Sequence, residues 1–486
     1  MTTLRQADKL LQSLPNEAID DPHRLARLFL NQHYSLANGL RKLVWWQRDY
    51  WHWDGLRWQE LKKHELIAIL TQSVKAEFDR ANISVLSKWT PAKAGEERPK
   101  VKPVTKALLA NVDNAIASLT VQSDSVSMPE WLIEDPPFPA RELLATAKTL
   151  LHLPNLFSGK LSEVDPTPML FSGNCLSYDY SPDATCPNWL AFLKSLWSDD
   201  RETIDSLQEW FGYLLLPDTR QHKLLMLIGP PRSGKGTIAR VLQLLLGEGN
   251  IASPTLSSLA GPFGLWPLLN KHVALIPDAR LSGRDDSIAI VERLLSISGE
   301  DPQDVHRKNL PTLTGIRMPI RFVLMSNELP NMRDASGAFM TRVVLLRMTR
   351  SFAGREDRDL GQRLFGELPG ILNWSMQGWR RLHERGHFEQ PRSSTELLSE
   401  LAHLSSPIKQ FVEDACYVGP GYEASIATLF AAWTEWCVVN HREHIGSPQT
   451  LGKDLRAALP NIDTRQPRVG SQRHRVYSGI GVKLGS

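Results

Sequence analysis

The sequence is poor in cysteine. Cys175, Cys186, Cys416 and Cys437 stand far apart, and no Cys-x-x-Cys pair occurs. That spacing excludes a zinc ribbon or a disulfide framework and fits a reducing cytoplasm. Long apolar runs are also missing: no window approaches the roughly eighteen apolar residues of a membrane-spanning helix. The opening stretch MTTLRQADKLLQSLPNEAIDD has neither an apolar core nor a cleavage pattern, so no signal peptide is expected there. Charge of one sign is not in excess, with 56 Lys and Arg against 53 Asp and Glu, a net +3. A polyanionic partner must therefore be met by local clusters rather than by overall charge. The remaining composition, 42% hydrophobic and 22% charged over 486 residues, is that of a soluble globular chain of about two to four domains.

What is present centres on Leu224–Leu242, LLMLIGPPRSGKGTIARVL. The apolar run Leu224–Ile228 is short and sharply bounded, as a buried strand is. Gly229, Pro230, Pro231, Arg232, Ser233, Gly234, Lys235, Gly236 and Thr237 follow, and then Ile238, Val241, Leu242 and Leu245 recur at helical spacing. Strand, glycine loop and helix form the context of a phosphate-binding loop. Its backbone N–H groups wrap phosphates, and the helix N-terminus adds partial positive charge. Lys235 is placed to reach the β- and γ-phosphates of a ligand held there, and the Thr237 hydroxyl is the nearest candidate for a Mg²⁺ ligand. The motif fixes the metal ligand less firmly than the lysine, because Gly236 stands where Ser or Thr is usual.

Before this stretch, residues 1–30 have helical spacing of leucines. Residues 43–58 suggest a β-hairpin turning at Asp54-Gly55. Its tryptophans, Trp45, Trp46, Trp51, Trp53 and Trp58, fit a hairpin core better than a base-stacking platform. A helix is expected over Leu61–Asn82. Residues 88–106 carry three prolines and six basic residues against two acids and suggest a solvated loop. Another helix is expected from about Lys106 to Val121, then an irregular Pro-rich stretch over Met128–Pro139, and helices around Pro187–Leu196 and Glu202–Leu216.

After the loop, His272–Pro277 is the expected second strand, followed by Asp278. A carboxylate at a strand end beside a phosphate loop holds Mg²⁺ or positions the attacking water. Only one acid stands here, so the catalytic base stays open among Asp278, Glu292, Glu328, Asp285 and Asp286. A helix from about Asp286 to Ile297 follows. GEDPQDVHRKNLPTLTGIRMPIR suggests an extended hairpin with His306, Arg307 and Lys308 near its turn, a possible grip for a phosphate backbone. The third strand, Arg321–Met325, ends in Ser326-Asn327-Glu328. The fourth, Val343–Leu346, is preceded by Arg342. Beyond residue 405 three helices are expected, the last capped by Ser447, and then a β-hairpin turning at Gly470. From Ser447 onward seven Lys and Arg, among them Arg468, Arg473 and Arg475, outnumber Asp454 and Asp463.

The ordered set LQEWFGYLLLPDTR, IGPPRSGKGT, VALIPDARL, ERLLSISGEDPQDVHRK, RFVLMSNELP, DASGAFMTRVVLL and SFAGREDRDLGQRLFGELPGILNW resembles superfamily 3 helicases. Within them it is most similar to the phage and plasmid primase-helicase group, which includes poxvirus primase-helicases. The resemblance implies an α/β fold with three parts. Residues 1–200 match an α-rich helicase-associated domain, 201–400 a P-loop (AAA+-like) ATPase, and 405–486 a winged-helix DNA-binding domain. It implies Lys235, Asp278, Asn327 and Arg342 as catalytic residues, with Asn327 the sensor and Arg342 a finger supplied to a neighbour's ATP. Arg293 and Arg342 would face a subunit interface, Thr237 and Asp278 would hold Mg²⁺, and Lys308 would sit at a DNA-gripping hairpin tip. The implied partners are single-stranded and fork or origin DNA, further copies of the chain in a hexameric ring, and a separate primase, in the cytoplasm of a bacterial host. Primase chemistry needs clustered carboxylates holding two metals, and residues 1–190 contain no Asp-x-Asp pair, so no primer synthesis is expected from this chain. Two competing readings are a nucleoside-monophosphate kinase, whose loop GPPRSGKGT resembles, and a non-enzymatic origin-binding protein. The kinase leaves Asn327 and Arg342 unexplained, and the origin-binding protein leaves the whole loop idle.

Overall fold

The computed structural model describes residues 17–89, 101–279, 284–330, 332, 334, 337–440, 445–466, 468–469, 472–473 and 476–483. The chain forms two compact units, Met1–Tyr180 and Ser181–Ser486. None of the described helices is long and apolar enough to cross a membrane. All four cysteines are buried and unbridged.

In the first unit the helices Pro22–His33, Lys63–Lys88 and Lys106–Thr120 pack around Leu25, Phe29, Leu66, Leu70, Val112 and Ile116. The aromatic stretch is a three-stranded meander, Leu43–Trp46, Asp49–Trp53 and Trp58–Leu61, rather than one hairpin. The expected Asp54-Gly55 turn is there. The additional turn is Gln47-Arg48, at φ 49° and 71°, a left-handed conformation that neither residue type signals. Trp46, Trp51 and Trp58 are buried and meet edge-on against Phe171, so these rings are core. The Pro-rich stretch Met128–Pro139, expected to be irregular, contains a strand, Glu130–Trp131, paired with Leu170–Phe171. Two-residue strands are too short to show alternation.

The second unit is built on a parallel sheet of five strands, β1 (Leu224–Ile228), β2 (Ile251–Ala252), β3 (Val273–Ile276), β4 (Arg321–Ser326) and β5 (Val343–Arg347). Their spatial order is β2-β3-β4-β1-β5. β1, β3 and β4 are buried along their whole length, as strands of a sheet covered on both faces are. Ser326 pairs with Ile228, Ile276 with Leu324 and Arg347 with Ile228, which aligns the carboxyl ends along one edge. The two-residue β2 had no counterpart among the expected strands.

Helix α1 (Pro187–Trp197) belongs to this unit, so the division falls ahead of the boundary placed at residue 200. Its first N–H groups, of Asn188 and Trp189, donate to the Glu367 carboxylate at 3.0 Å, and the Trp197 indole donates to the Arg347 carbonyl at 2.7 Å. Helix α2 (Arg201–Leu215) precedes β1, and α3 (Lys235–Leu246) and α4 (Arg284–Ser298) connect the strands. α2 packs on α5 (Leu368–Arg385) at glycine contacts. A methyl on Gly378 would overlap the Gln208 carbonyl, and one on Gly212 would overlap the Trp379 N–H. Beside them buried Glu209 accepts from Arg381 Nε at 2.6 Å and from Arg385. Alanine is intrinsically about 1 kcal/mol better than glycine inside a helix, but overpacking costs about 1–3 kcal/mol and here meets unyielding backbone. Gly378→Ala is therefore expected to lower the thermal midpoint by about 2–4 °C for each net kcal/mol. An unchanged midpoint would contradict this packing.

The last part runs helix Pro407–Ala415, strand Cys416–Ser425, helix Ile426–Val439, helix Pro448–Ala458, then strands Asp463–Arg465 and Val476–Val482. Ser447 Oγ accepts from the Thr450 N–H at 3.2 Å, as its capping role required. The expected three helices in succession are interrupted by Cys416–Ser425, which pairs with Val476–Val482 around an irregularity between Val418 and Glu423. Gly419, Pro420 and Gly421 hide the alternation that marks a strand.

Candidate phosphate loop and its surroundings

The loop after β1 has backbone requirements that its sequence meets. A Cβ at Gly229 would lie 2.7 Å from the Met348 Cβ, so only glycine lets β1 leave the sheet beside β5. Gly234 sits at φ 98° and opens α3 without a side chain, and Arg232 is held at φ 59°. The Gly229 N–H donates to the Ser326 carbonyl at 3.2 Å, tying the loop to the end of β4.

Lys235 is the hub. Its half-buried Nζ donates to the Gly229 carbonyl at 2.6 Å, the Pro230 carbonyl at 3.0 Å, Ser233 Oγ at 3.2 Å and Asn327 Oδ1 at 3.1 Å. All four acceptors are neutral oxygens. Burial holds its pKa below the usual lysine value. A half-buried cation that meets only neutral acceptors among the described residues is poised for an anion. Two residues 92 positions apart in sequence are thus brought together, because β1 and β4 are neighbours in register.

Asp278 stands at the same edge. It is exposed two residues beyond β3, and the following Ala279 N–H donates to the Met325 carbonyl at 2.8 Å. Glu328, also exposed, adjoins Asn327, and Glu292 lies exposed on α4. The side chains of Asp285 and Asp286 lie outside those described. Thr237 is half-buried in the first turn of α3. Mg²⁺ takes one or two protein oxygens and completes its shell with phosphate and water. One hydroxyl and one carboxylate fit that demand.

Beside the loop opens a pocket of about 580 Å³. Gly234 and Thr237 line it from the loop, Phe192 from α1, Phe352 and Leu360 from the segment after β5, and Arg355 from that same segment. The segment is fastened to the loop. Met348 N–H donates to the Ile228 carbonyl at 2.7 Å, Phe352 N–H to the Arg232 carbonyl at 2.9 Å and Ser351 Oγ to the Pro231 carbonyl at 2.9 Å, while Arg232 pairs with Glu356. Sequence reasoning did not find this pocket. Its walls come from distant stretches, and only the GREDRD run after β5 hinted at a polar surface.

The remaining candidate residues lie elsewhere. Arg342 precedes β5, and Val343 pairs with Leu224. It therefore sits at the amino edge of the sheet, roughly 16 Å of strand from its own loop at ~3.3 Å per residue. Its Nη1 donates to the Leu295 carbonyl and to Ser298 Oγ, the latter at 2.8 Å. Arg293 points inward, donating to the Leu259 carbonyl and to that of Gly261 at 2.9 Å, and burial lowers its pKa. Strands Gln303–Arg307 and Leu310–Ile316 form the expected hairpin. Arg307 is buried within it, with Nε donating to the Pro311 carbonyl at 3.2 Å. Lys308 is exposed in the two-residue turn, beside Asn309 at φ 60°. The side chains of Arg468 and Arg473, and all of Arg475, lie outside the described residues.

Fold and site define a mixed α/β protein whose parallel sheet carries a glycine loop and its lysine at the carboxyl edge. A family described as a family of unknown function (DUF5906) matches residues 227–342, the stretch from the end of β1 to Arg342. An uncharacterized mitochondrial protein, ymf21, from Marchantia polymorpha is 28% identical over 83 residues, which are 17% of this chain and 46% of that protein. The chain thus spans about half the length of this curated relative. Among solved structures, the A-form apo structure of the NrS-1 C-terminal region (305–718) superposes with a TM-score of 0.46 at 12% identity, covering 95% of this chain and all of that one. A second apo structure of the same region gives 0.46 at 13% identity, covering 95% and 99%.

Proposed function

We propose that the chain is an ATP-driven DNA helicase of the superfamily 3 kind, working as a ring of identical subunits in replication of a phage, plasmid or prophage. The observation that carries this reading is Lys235, a half-buried cation bonded to neutral loop oxygens and to Asn327. Phosphate supplies the negative charge that this arrangement lacks. The β- and γ-phosphates of ATP lie along the loop, and the base enters the pocket between Phe192 and Phe352. Thr237 and Asp278 hold Mg²⁺, which neutralises charge on the phosphates. Asn327, next to Lys235, orients the attacking water. Arg342 acts on the neighbour's γ-phosphate, and the exposed Lys308 grips the DNA backbone. The succession of helices and strands in the last part supports a winged-helix reading, in which the basic residues after Ser447 would meet duplex DNA.

ATP turnover measured with and without single-stranded DNA tests this reading. The expected result is hydrolysis stimulated several-fold by the strand. A chain that phosphorylates a nucleoside monophosphate, or one that binds duplex without hydrolysing ATP, would contradict it. The hairpin gives a second prediction. Lys308→Ala removes a salt-sensitive, sequence-independent phosphate contact and is expected to abolish strand separation. Unwinding that survives at ordinary salt would show that the DNA is held elsewhere.

A further inference from the structure

Arg342 is held in an unusual way. Its backbone is fixed on both sides, by Lys223 Nζ donating to the Thr341 carbonyl at 2.6 Å and by the pairing of Val343 with Leu224. Among the described residues its guanidinium is held through Nη1, in a cradle at the carboxyl end of α4. Ser298, only 3% exposed, donates its hydroxyl to the Leu294 carbonyl at 2.6 Å, which leaves its oxygen free to accept from Nη1 at 2.8 Å. The Leu295 carbonyl is the second acceptor. Gly299 leaves the necessary room, for a Cβ there would lie 3.0 Å from Nη1 and 3.2 Å from Nη2. The helix end adds partial negative charge that favours a cation. No acceptor among the described residues meets Nε or Nη2.

We propose that Ser298 is a positioning residue for Arg342, fixing the guanidinium by one nitrogen so that its Nε–Nη2 edge is presented to a neighbouring subunit's triphosphate. This rests on the reading of Arg342 as a finger supplied in trans. An arginine grips phosphate through a planar two-donor edge, and holding the opposite corner pre-orients that edge before ATP arrives. Ser298 touches neither ATP nor water and acts only through Arg342.

The experiment uses the full chain and reads ATP turnover and ATP affinity. Ser298→Ala is expected to lower kcat about tenfold with KM for ATP within twofold, and Ser298→Thr, which keeps the hydroxyl, to restore most of it. The decisive arm adds Lys235→Ala subunits, which have a dead loop but an intact cradle. At mixed interfaces the intact loop of Ser298→Ala meets a properly held Arg342, so its turnover should rise several-fold. A folding defect in Ser298→Ala would not be relieved by a dead partner. Turnover of Ser298→Ala within twofold of the parent, or a loss that Lys235→Ala subunits only dilute, overturns the proposal. Arg342→Ala in the same mixture separates the two levels. If it regains activity while Ser298→Ala does not, the cradle alone is wrong. If it gains nothing, the trans reading falls and the cradle with it. Should Ser298→Ala fail to fold, Gly299→Ala, whose methyl crowds Nη1, goes through the same mixture with the same expected rescue.

Discussion

Lys235→Ala is expected to yield a folded chain that no longer hydrolyses ATP. The side chain lies outside the hydrophobic core, and its four acceptors belong to the loop and to Asn327. Truncation leaves β1 and α3 packed as before, so circular dichroism and the thermal midpoint should match those of the parent. Removing one preorganised donor from developing oxyanion charge costs ~10²–10³ in rate, and here the donor is a full cation. The loss should therefore reach at least that range. A folded variant turning over at the parent's rate would remove the loop from the chemistry.

Arg342→Ala is expected to bind ATP normally and hydrolyse it with a loss of ~10³–10⁵, the range for an arginine finger. β5 runs parallel to β1, so the residue before β5 sits at the edge opposite its own loop. A residue there reaches a γ-phosphate only across a head-to-tail contact, the kind that closes into rings. Lys235→Ala subunits keep an intact Arg342, and Arg342→Ala subunits keep an intact loop. Mixing the two inactive proteins should return part of the activity once subunits exchange. A mixture as inactive as its components, with exchange shown by a fluorescence pair, would place Arg342 outside catalysis in trans.

The loop and β1, β3, β4 and β5 were legible in the sequence because each of these strands is a short apolar run beside a candidate site residue, whereas the two-residue β2 is too short to show a pattern. Ile228 precedes Gly229, Ile276 lies two residues before Asp278, and Ser326 precedes Asn327. The hairpin was legible because Lys308-Asn309 is a polar pair between two extended stretches, and Asn tolerates the left-handed backbone it adopts there. Arg293 and Arg307 were not legible as inward-facing. A basic residue signals charge, not direction, and both turn into the protein to satisfy backbone carbonyls. The pocket needs α1 and the segment after β5 to meet across the loop, a contact no local pattern encodes. The cradle of Arg342 was equally hidden, since Ser298 and Gly299 look like an ordinary helix end until the strand carrying Arg342 is laid beside them.

The most direct test of the whole account is displacement of a labelled strand from a forked duplex by the full chain, followed with ATP and Mg²⁺ at moderate salt. The account predicts release of the strand that requires hydrolysable ATP and is absent in Lys235→Ala. ATP hydrolysis indifferent to DNA, with the fork left intact at every protein concentration, would contradict it.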